Sequence, residues 1–594
     1  MDESSVLELI DGELFGVWIL IGAAMVLFMQ CGFTMLEAGF TRAKNTANIV
    51  MKNLMDFAFG ALAFIVIGYG LMFGDDIGGI IGTPNYDLFT DYENFDWATF
   101  IFNMMFCATT ATIVAGAMAE RTKFSAYCIY SIFLSAFVFP IGAHWVWGGG
   151  WLSQLDTPFH DMAGSGTIHL VGGVAALLGA YFLGPRIGKY ERDENGKVVK
   201  VNAIPGYSLT MGALGTFILW FGWYGFNGGS ASSVEQLSSI FVTSSLAPAA
   251  AAITCMIFTW VKYGKPDVSM CLNAALGGLA AVTAGCDAYN AVGALIVGAV
   301  SGVLVCFGVW FLDNKLHIDD PVGAAPVHLC NGVWGCLAVG LFATDSAPGN
   351  DINGLFYGGG WSQLGTQLIG TLALAAWSAV TMGLLFFILK HTIGLRCSAE
   401  EEIRGLDVTE HNLSAAHEFM PSVATMATDS EDAKRHGITI DESEYVLKPT
   451  SGEKAKITKV SILCNPEKLG DVQAALAELG VNGLTVTNVM GFGAQHGYTS
   501  YYRGVKTEGT QLLQKVQVDA VVSRIPPQKV IDTVQNVLHT GEIGDGKIFV
   551  YDVEDVVKIR TGESGYDALQ DTEGEGDAVS ESVSASESAS ESSE

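Results

Sequence analysis

Two histidines stand out because their surroundings repeat. Gly164-Ser-Gly-Thr-Ile-His169-Leu-Val-Gly-Gly173-Val174 and Gly323-Ala-Ala-Pro-Val-His328-Leu-Cys-Asn-Gly332-Val333 both read G-x4-H-L-x-x-G-V. Each histidine lies in an apolar run, where a lone one ordinarily serves a hydrogen bond between helices. Two at equivalent repeat positions point instead to a path, because an imidazole can donate and accept. Aromatic residues gather nearby: Phe106, Trp145, Trp147, and Phe226 with Ser230 after it. They fit an interfacial aromatic belt or a cage that holds a small cation against ring faces. Far along the chain, Gly544-Asp545-Gly546-Lys547 sets backbone amides beside an ammonium group, with Lys558 and Arg560 following. A phosphate site and a solvated turn both fit that stretch.

The elements that must position these residues are long apolar helices. Half of the 594 residues are hydrophobic and 15% are charged, but the average hides a division. From about Leu14 to Lys390 the chain is a series of apolar runs; from Ser398 onward it reads as soluble. A span needs roughly 20 apolar residues. That ruler predicts eleven, centred near residues 27, 62, 108, 135, 174, 215, 250, 278, 300, 332 and 376. His169 falls in the fifth and His328 in the tenth, so the two cross in opposite directions. This predicts inverted five-helix repeats whose equivalent positions meet near the bilayer midplane. Alternate connections carry the basic residues: Arg42 and Lys44; Arg121 and Lys123; Arg186 to Lys200; Lys262 and Lys265; Lys315. The intervening ones, 74–95, 148–162, 227–238, 286–288 and 344–361, contain no Lys or Arg. The expectation is an N-terminus outside and a C-terminus in the cytoplasm. The start MDESSVLELIDGE has no basic region, so the first run is read as a retained span. Glu120 and Arg121 read as a structural pair at a cytoplasmic end. The cysteines form no CxxC pair and read as small apolar residues between helices. A net charge of −30 argues against a nucleic-acid partner.

The expected organisation is a transmembrane domain over 1–395, a cytoplasmic tail and linker over 396–454, a compact domain over 455–566, and an acidic, Ser-rich disordered tail over 567–594. In the compact domain the pattern predicts strands at 457–463, 484–489, 516–522 and 547–550. It predicts helices at 466–479 and 526–538, with a polar, Gly-rich loop of about twenty residues after the second strand. That β-α-β-β-α-β order is the ferredoxin-like arrangement.

The membrane part resembles the Amt/Mep/Rh ammonium transporter family over roughly residues 14–411. The resemblance is carried by Gly116-Ala-Met-Ala-Glu-Arg121, His144-Trp-Val-Trp-Gly-Gly-Gly-Trp151, Asp161-Met-Ala-Gly-Ser-Gly-Thr-Ile-His169, Gly222-Trp-Tyr-Gly-Phe-Asn-Gly-Gly-Ser230, Asp319-Asp-Pro-Val-Gly-Ala-Ala-Pro-Val-His328 and Gly405-Leu-Asp-Val-Thr-Glu-His411. It implies a homotrimer in the cytoplasmic (plasma) membrane with a pore in each subunit. Phe106, Trp147 and Ser230 would recruit ammonium, with Asp161 in support. Phe106 and Phe226 would form the gate, and His169 with His328 would line the pore. Ammonium brings a charge and four N–H donors, which ring faces and a hydroxyl partly solvate. Deprotonation near the gate would leave neutral ammonia to pass the imidazoles. Leu329 departs from the glycine that many members have after this histidine.

Residues 456–560 resemble the PII signal-transduction proteins through Ala475–Thr487, Gly491-Phe-Gly493, Tyr502-Arg-Gly504, Gly544–Val550 and Lys558–Glu563. The resemblance implies a trimer that binds ATP or ADP, and 2-oxoglutarate with MgATP. Nucleotide ligands would come from Gly493, Gln495, Gly544, Asp545, Gly546, Lys547, Lys558 and Arg560. Gln495 would ligate Mg2+, and Lys515 would meet 2-oxoglutarate. Arg503 is the arginine that, in free PII partners, plugs an ammonium channel. Departures are Ala494 and His496, one extra residue before Lys515, and Thr507 where many members carry a modifiable Tyr. Covalent fusion replaces an encounter by a high effective concentration. The expected function is ammonium transport regulated by the fused domain, with a free PII protein as a further partner. The alternative is an ammonium sensor signalling through that domain. No general base paired with a water-positioning site suggests an enzyme.

Overall fold

Eleven helices among the described residues are long and apolar enough to cross a membrane. The structure is a computed structural model that describes residues 3–413, 456–481, 483–491, 500–502, 505–507, 513–541 and 544–569. The spans run Leu14–Phe40, Ala43–Phe73, Trp97–Ala117, Phe124–Trp147, Ser165–Leu183, Leu209–Gly228, Val234–Tyr263, Val268–Gly285, Ala291–Leu316, Ala325–Phe342 and Ser362–His391. Each centre read from the sequence falls inside one of them. Small residues let the first span lie tight against the sixth, as membrane helices require. A Cβ at Gly39 would meet the Gly212 nitrogen at 2.4 Å, and one at Gly215 would meet the Leu36 nitrogen at 2.5 Å.

The ends of the spans are held differently. At the end whose connections lack Lys and Arg, Met162 and Ala163 donate to the carbonyls of Ala284 and Thr283 at 2.9 and 3.2 Å. At the basic end the hold is ionic. Glu120 pairs with Arg42 and, at 2.6 Å, with Arg186. Arg186 also grips Asp319 at 2.8 and 3.0 Å. Burial alone would raise the Glu120 pKa, but Arg42 and Arg186 overcome it and hold it at about 2. Glu120 and Arg121 therefore do not pair with each other. Arg121 donates instead to the carbonyls of Ala117, Ala119, Gly184 and Asp319. Neighbouring residues diverge here because Glu120 sits at φ 72°, which turns the chain between them.

Beyond the last span, two short helices, Ala399–Arg404 and Leu406–His411, lie on this basic end. They carry no apolar period, so the sequence pattern alone does not mark them as helices within the tail. Their anchors are polar. Glu402 accepts from Arg396 at 2.6 Å and from the Ile187 nitrogen at 2.7 Å. Asp407 accepts from the Asn48 nitrogen at 2.8 Å, and Asn45 accepts from the Leu406 nitrogen at 2.9 Å.

The chain divides into two units, 1–425 and 426–594. In the second, four antiparallel strands pair in the order Lys547–Val553, Ile457–Cys464, Leu513–Val522, Leu484–Gly491. This is the ferredoxin-like order. Helices Leu469–Glu478 and Pro527–Leu538 supply Val472, Leu476, Val530 and Val534 to its core. The loop expected after the second strand contains a further hairpin, Ser500–Tyr502 with Val505–Thr507. The linker from 414 to 455 and the tail from 570 lie outside the described residues.

Candidate functional site

Both histidines sit on the first turns of their spans, and the turns are built alike. Gly164 and Gly323 take φ of +109° and +79°, conformations that favour glycine. The stretches Ser165–Leu170 and Ala325–Cys330 then wind as wide π-helical turns, a feature common at functional sites. A carboxylate pins each turn. Asp161 accepts from the amides of Gly164, Gly166 and Thr167 at 3.0, 2.9 and 2.9 Å. Asp320 accepts from those of Gly323 and Ala325 at 2.9 and 2.8 Å. Burial pushes both pKa values up, against the pull of these donors. Asp320 is not among the site residues expected above, although the repeat contains its signal: each aspartate precedes its histidine by eight residues.

The closing glycines of the motif bring the spans together. A Cβ at Gly173 would meet the Leu329 nitrogen at 2.3 Å, and one at Gly332 would meet the Leu170 nitrogen at 2.7 Å. Each repeat's glycine thus seats the residue after the other repeat's histidine. The result is a buried pair with Nδ1 of His169 3.2 Å from Nδ1 of His328. The rings stack at 5.2 Å and 23°. Nε2 of His169 has no hydrogen-bond partner among the described residues.

Aromatic rings cover the pair. Phe226 lies 5.6 Å from His169 and Trp223 lies 5.2 Å from it, both stacked. Phe106 meets Phe226 at 4.5 Å and half-buried Trp147 at 5.9 Å. The Trp147 indole donates to the Asp161 carbonyl at 2.8 Å, tying the outermost ring to the helix start that carries His169. Ser230 is exposed past the end of the sixth span, next to Gly229, where a Cβ would strike Phe102 at 2.3 Å. Trp223 and Phe33, 6.4 Å from His328, complete the ring column. Neither is distinguishable in the sequence, because a ring in an apolar run looks like any core residue.

A model of the Ammonium Transporter Family matches residues 17–416. The chain belongs to that family. The ammonium transporter Amt2 of Archaeoglobus fulgidus is 46% identical over 422 residues, covering 68% of this chain and 88% of Amt2. Ammonium transporter 1 member 1 of Arabidopsis thaliana is 40% identical, covering 64% and 80%. Among solved structures, one named "Sensor Amt Protein" is 35% identical, with a TM-score of 0.63, covering 68% of this chain and 100% of that one. Candida albicans Mep2 is 29% identical, with a TM-score of 0.58, covering 65% and 87%. A model of the Nitrogen regulatory protein P-II matches residues 457–563, so the family's membrane fold here carries a P-II domain.

In that domain the Gly544–Lys547 turn is folded onto the first strand, since a Cβ at Gly546 would meet the Leu463 carbonyl at 2.0 Å. Asp545 closes the turn from inside, accepting from the amides of Thr540 and Gly541 at 2.9 and 3.1 Å. Lys547 and Arg560 are exposed, and Lys558 is partly so. Lys515 donates to Asn465 and, at 3.4 Å, to the Gly544 carbonyl, which joins it to the same turn. Gly493, Gln495 and Arg503 lie outside the described residues.

Proposed function

We propose that the chain conducts ammonium through the column of Phe106, Phe226, His169 and His328, with the basic end in the cytoplasm of the cell whose plasma membrane it spans. The observation that carries this reading is the buried histidine pair at equivalent repeat positions, with Phe226 stacked on His169 and Phe106 against Phe226. Phe106, Trp147 and Ser230 receive the cation, and Asp161 supports them through the Trp147 indole and the first turn of the fifth span. A charge crossing the apolar column would be costly, so the proton is given up near the ring pair and ammonia continues along the imidazoles. The P-II domain regulates this flux. Lys547, Lys558 and Arg560, with the glycines of the 544–546 turn, fit an anion such as a nucleotide phosphate. ATP or ADP with Mg2+ and 2-oxoglutarate are the proposed effectors, Lys515 meeting the latter and Arg503 carrying the block. The strand Lys547–Val553 leaves Phe549, Val550 and Tyr551 exposed on a sheet edge, which favours assembly of the domain with copies of itself, as a trimer.

The test is an ammonium pulse to liposomes holding the purified protein or its His169→Ala variant, followed by current or internal pH. Flux in the first and its loss in the second is the expected result, with nucleotides and 2-oxoglutarate changing it. Absence of flux under every nucleotide condition favours a second reading, an ammonium sensor. The 35% identity to the structure named "Sensor Amt Protein" supports keeping that reading.

A further inference from the structure

Three cysteines that the sequence presents as plain packing residues meet where the seventh, eighth and ninth spans converge. Sγ of Cys255 lies 3.3 Å from Sγ of Cys306, and both residues are buried. Cys271, half-buried on the first turn of the eighth span, is within hydrogen-bond reach of Cys255.

The seam that holds the pair is tight. Ala247, Ala251 and Cys255 recur every four residues on the seventh span, and Gly298, Gly302 and Cys306 do so on the ninth. Residues four apart share one face of a helix. A Cβ at Gly298 would meet the Ala247 carbonyl oxygen at 2.0 Å, and one at Gly302 would meet that of Ala251 at 2.2 Å. Thr254 Oγ1 donates across the seam to the Ala299 carbonyl at 3.0 Å. The two backbones therefore touch along one turn, and the cysteines face each other on the next. Helix axes ordinarily stay about 8–10 Å apart, whereas a disulfide needs α-carbons about 4.4–6.8 Å apart, a spacing that touching backbones provide. Close packing alone would be served by a third Ala or Gly in each stripe. The seam places two thiols there instead.

We propose that Cys255 and Cys306 are a reversible thiol-oxidation site, closed to a disulfide between the seventh and ninth spans by a peroxide that reacts first at Cys271. The thiolate is the reactive form, and it needs access to water, so first contact falls to the partly exposed Cys271. Hydrogen peroxide converts the Cys271 thiol to a sulfenic acid and leaves as one water. The Cys255 sulfur attacks that sulfenic acid, forming the Cys255–Cys271 disulfide and releasing a second water. The Cys306 sulfur then attacks the Cys255 sulfur, and Cys271 departs and takes up the proton that Cys306 gives up. In sum two thiols lose two electrons and two protons, and one peroxide becomes two waters. The site stands independently of the transport reading.

The test uses the full chain in liposomes. The protein is treated with hydrogen peroxide, its remaining thiols are alkylated in denaturant, and disulfide-linked peptides are identified by mass spectrometry. The expected product joins Cys255 to Cys306 with loss of two hydrogens, and a dithiol reductant reverses it. Its melting temperature should exceed that of the reduced protein, because the link ties residues 51 apart in the unfolded chain. Cys271→Ser is expected to lose the product at short times and reach it only at long ones. Cys306→Ser is expected to halt the sequence at the Cys255–Cys271 disulfide. A wild type that gains sulfinic acids at these cysteines, or never links Cys255 to Cys306, overturns the site. A link that forms as fast in Cys271→Ser overturns the relay. Cys306→Ala replaces Cys306→Ser if a buried hydroxyl prevents folding.

Discussion

Gly173 is the position where one methyl group tests the whole arrangement. In Gly173→Ala the new Cβ lies 2.3 Å from the Leu329 nitrogen, 2.7 Å from its Cα and 2.9 Å from the His328 carbonyl carbon. All three are backbone atoms, so no side chain can rotate out of the way. Ordinary contact, ~3.5 Å, requires the fifth and tenth spans to part locally by ~1.2 Å (3.5 minus 2.3). The same movement carries the Nδ1 pair from 3.2 Å to about 4.4 Å, beyond hydrogen-bond reach. Overpacking of this kind costs about 1–3 kcal/mol in stability. A misplacement of ~1 Å in positioned groups costs up to about a hundredfold in rate. Gly332→Ala is the milder counterpart, with its nearest backbone atom at 2.7 Å and a required opening of ~0.8 Å. Gly365, in the last span, has nothing within 4 Å of its Cβ position, so Gly365→Ala is the control. The expected order of flux and of melting temperature is Gly365→Ala, then Gly332→Ala, then Gly173→Ala. The assay is ammonium-pulse flux in liposomes paired with thermal unfolding of the same preparations. A Gly173→Ala protein that matches Gly365→Ala in both would refute the claim that this contact sets the histidine pair.

Three further outcomes are expected. Glu120→Gln should destabilise the protein at neutral pH by about 3 kcal/mol, the difference between an ordinary glutamate near 4.5 and the folded value of about 2. Because the folded pKa is depressed, that stability is present above about pH 4.5 and disappears as pH falls toward 2. Melting curves of wild type and variant should therefore converge in acid, and a gap that persists there contradicts the pairing. Lys547→Ala should weaken ATP and ADP binding, measured by calorimetry, by about tenfold or more, as for loss of a charged phosphate contact. Arg503→Ala should leave basal flux intact and remove its response to nucleotides; a retained response discards the proposed block.

Much of this architecture is legible in the residues because membrane helices and buried strands announce themselves by composition. The eleven spans follow from apolar length, and the inverted repeat follows from one motif written twice. The four-stranded sheet follows from alternation in stretches such as Ile457–Cys464. What escaped depends on partners distant in sequence. The pairing of Arg186 with Glu120 joins residues 66 apart, and nothing local distinguishes it from Glu120 beside Arg121. The helices at Ala399–Arg404 and Leu406–His411 are short and polar, held by Asn45, Asn48 and Arg396 rather than by an apolar stripe. The hairpin at 500–507 sits in a polar stretch whose three-residue strands are too short for alternation to show.

The repeat makes the centre symmetric, while the ends are not. Asp161 and Asp320 pin equivalent turns, yet their neighbours diverge. Beside Asp161, His160 meets Asp287 at 3.0 Å, and the Trp147 indole over the Asp161 carbonyl leads to the rings of Phe106 and Phe226. Next to Asp320 stands Asp319, locked to Arg186 in a network that extends through Glu120 to Arg42. One end therefore presents ring faces, which bind cations without fixing a counter-charge. The other is held by buried ion pairs, in which loss of any one charge leaves its partner uncompensated. The two ends should thus fail differently. Replacing a ring, as in Trp147→Leu, should change ammonium affinity with little change in melting temperature. Replacing an ion-pair member, as in Arg186→Met, should lower the melting temperature before any effect on affinity can be resolved. Parallel losses in both quantities for both variants would mean that the division between a binding end and a structural end is mistaken.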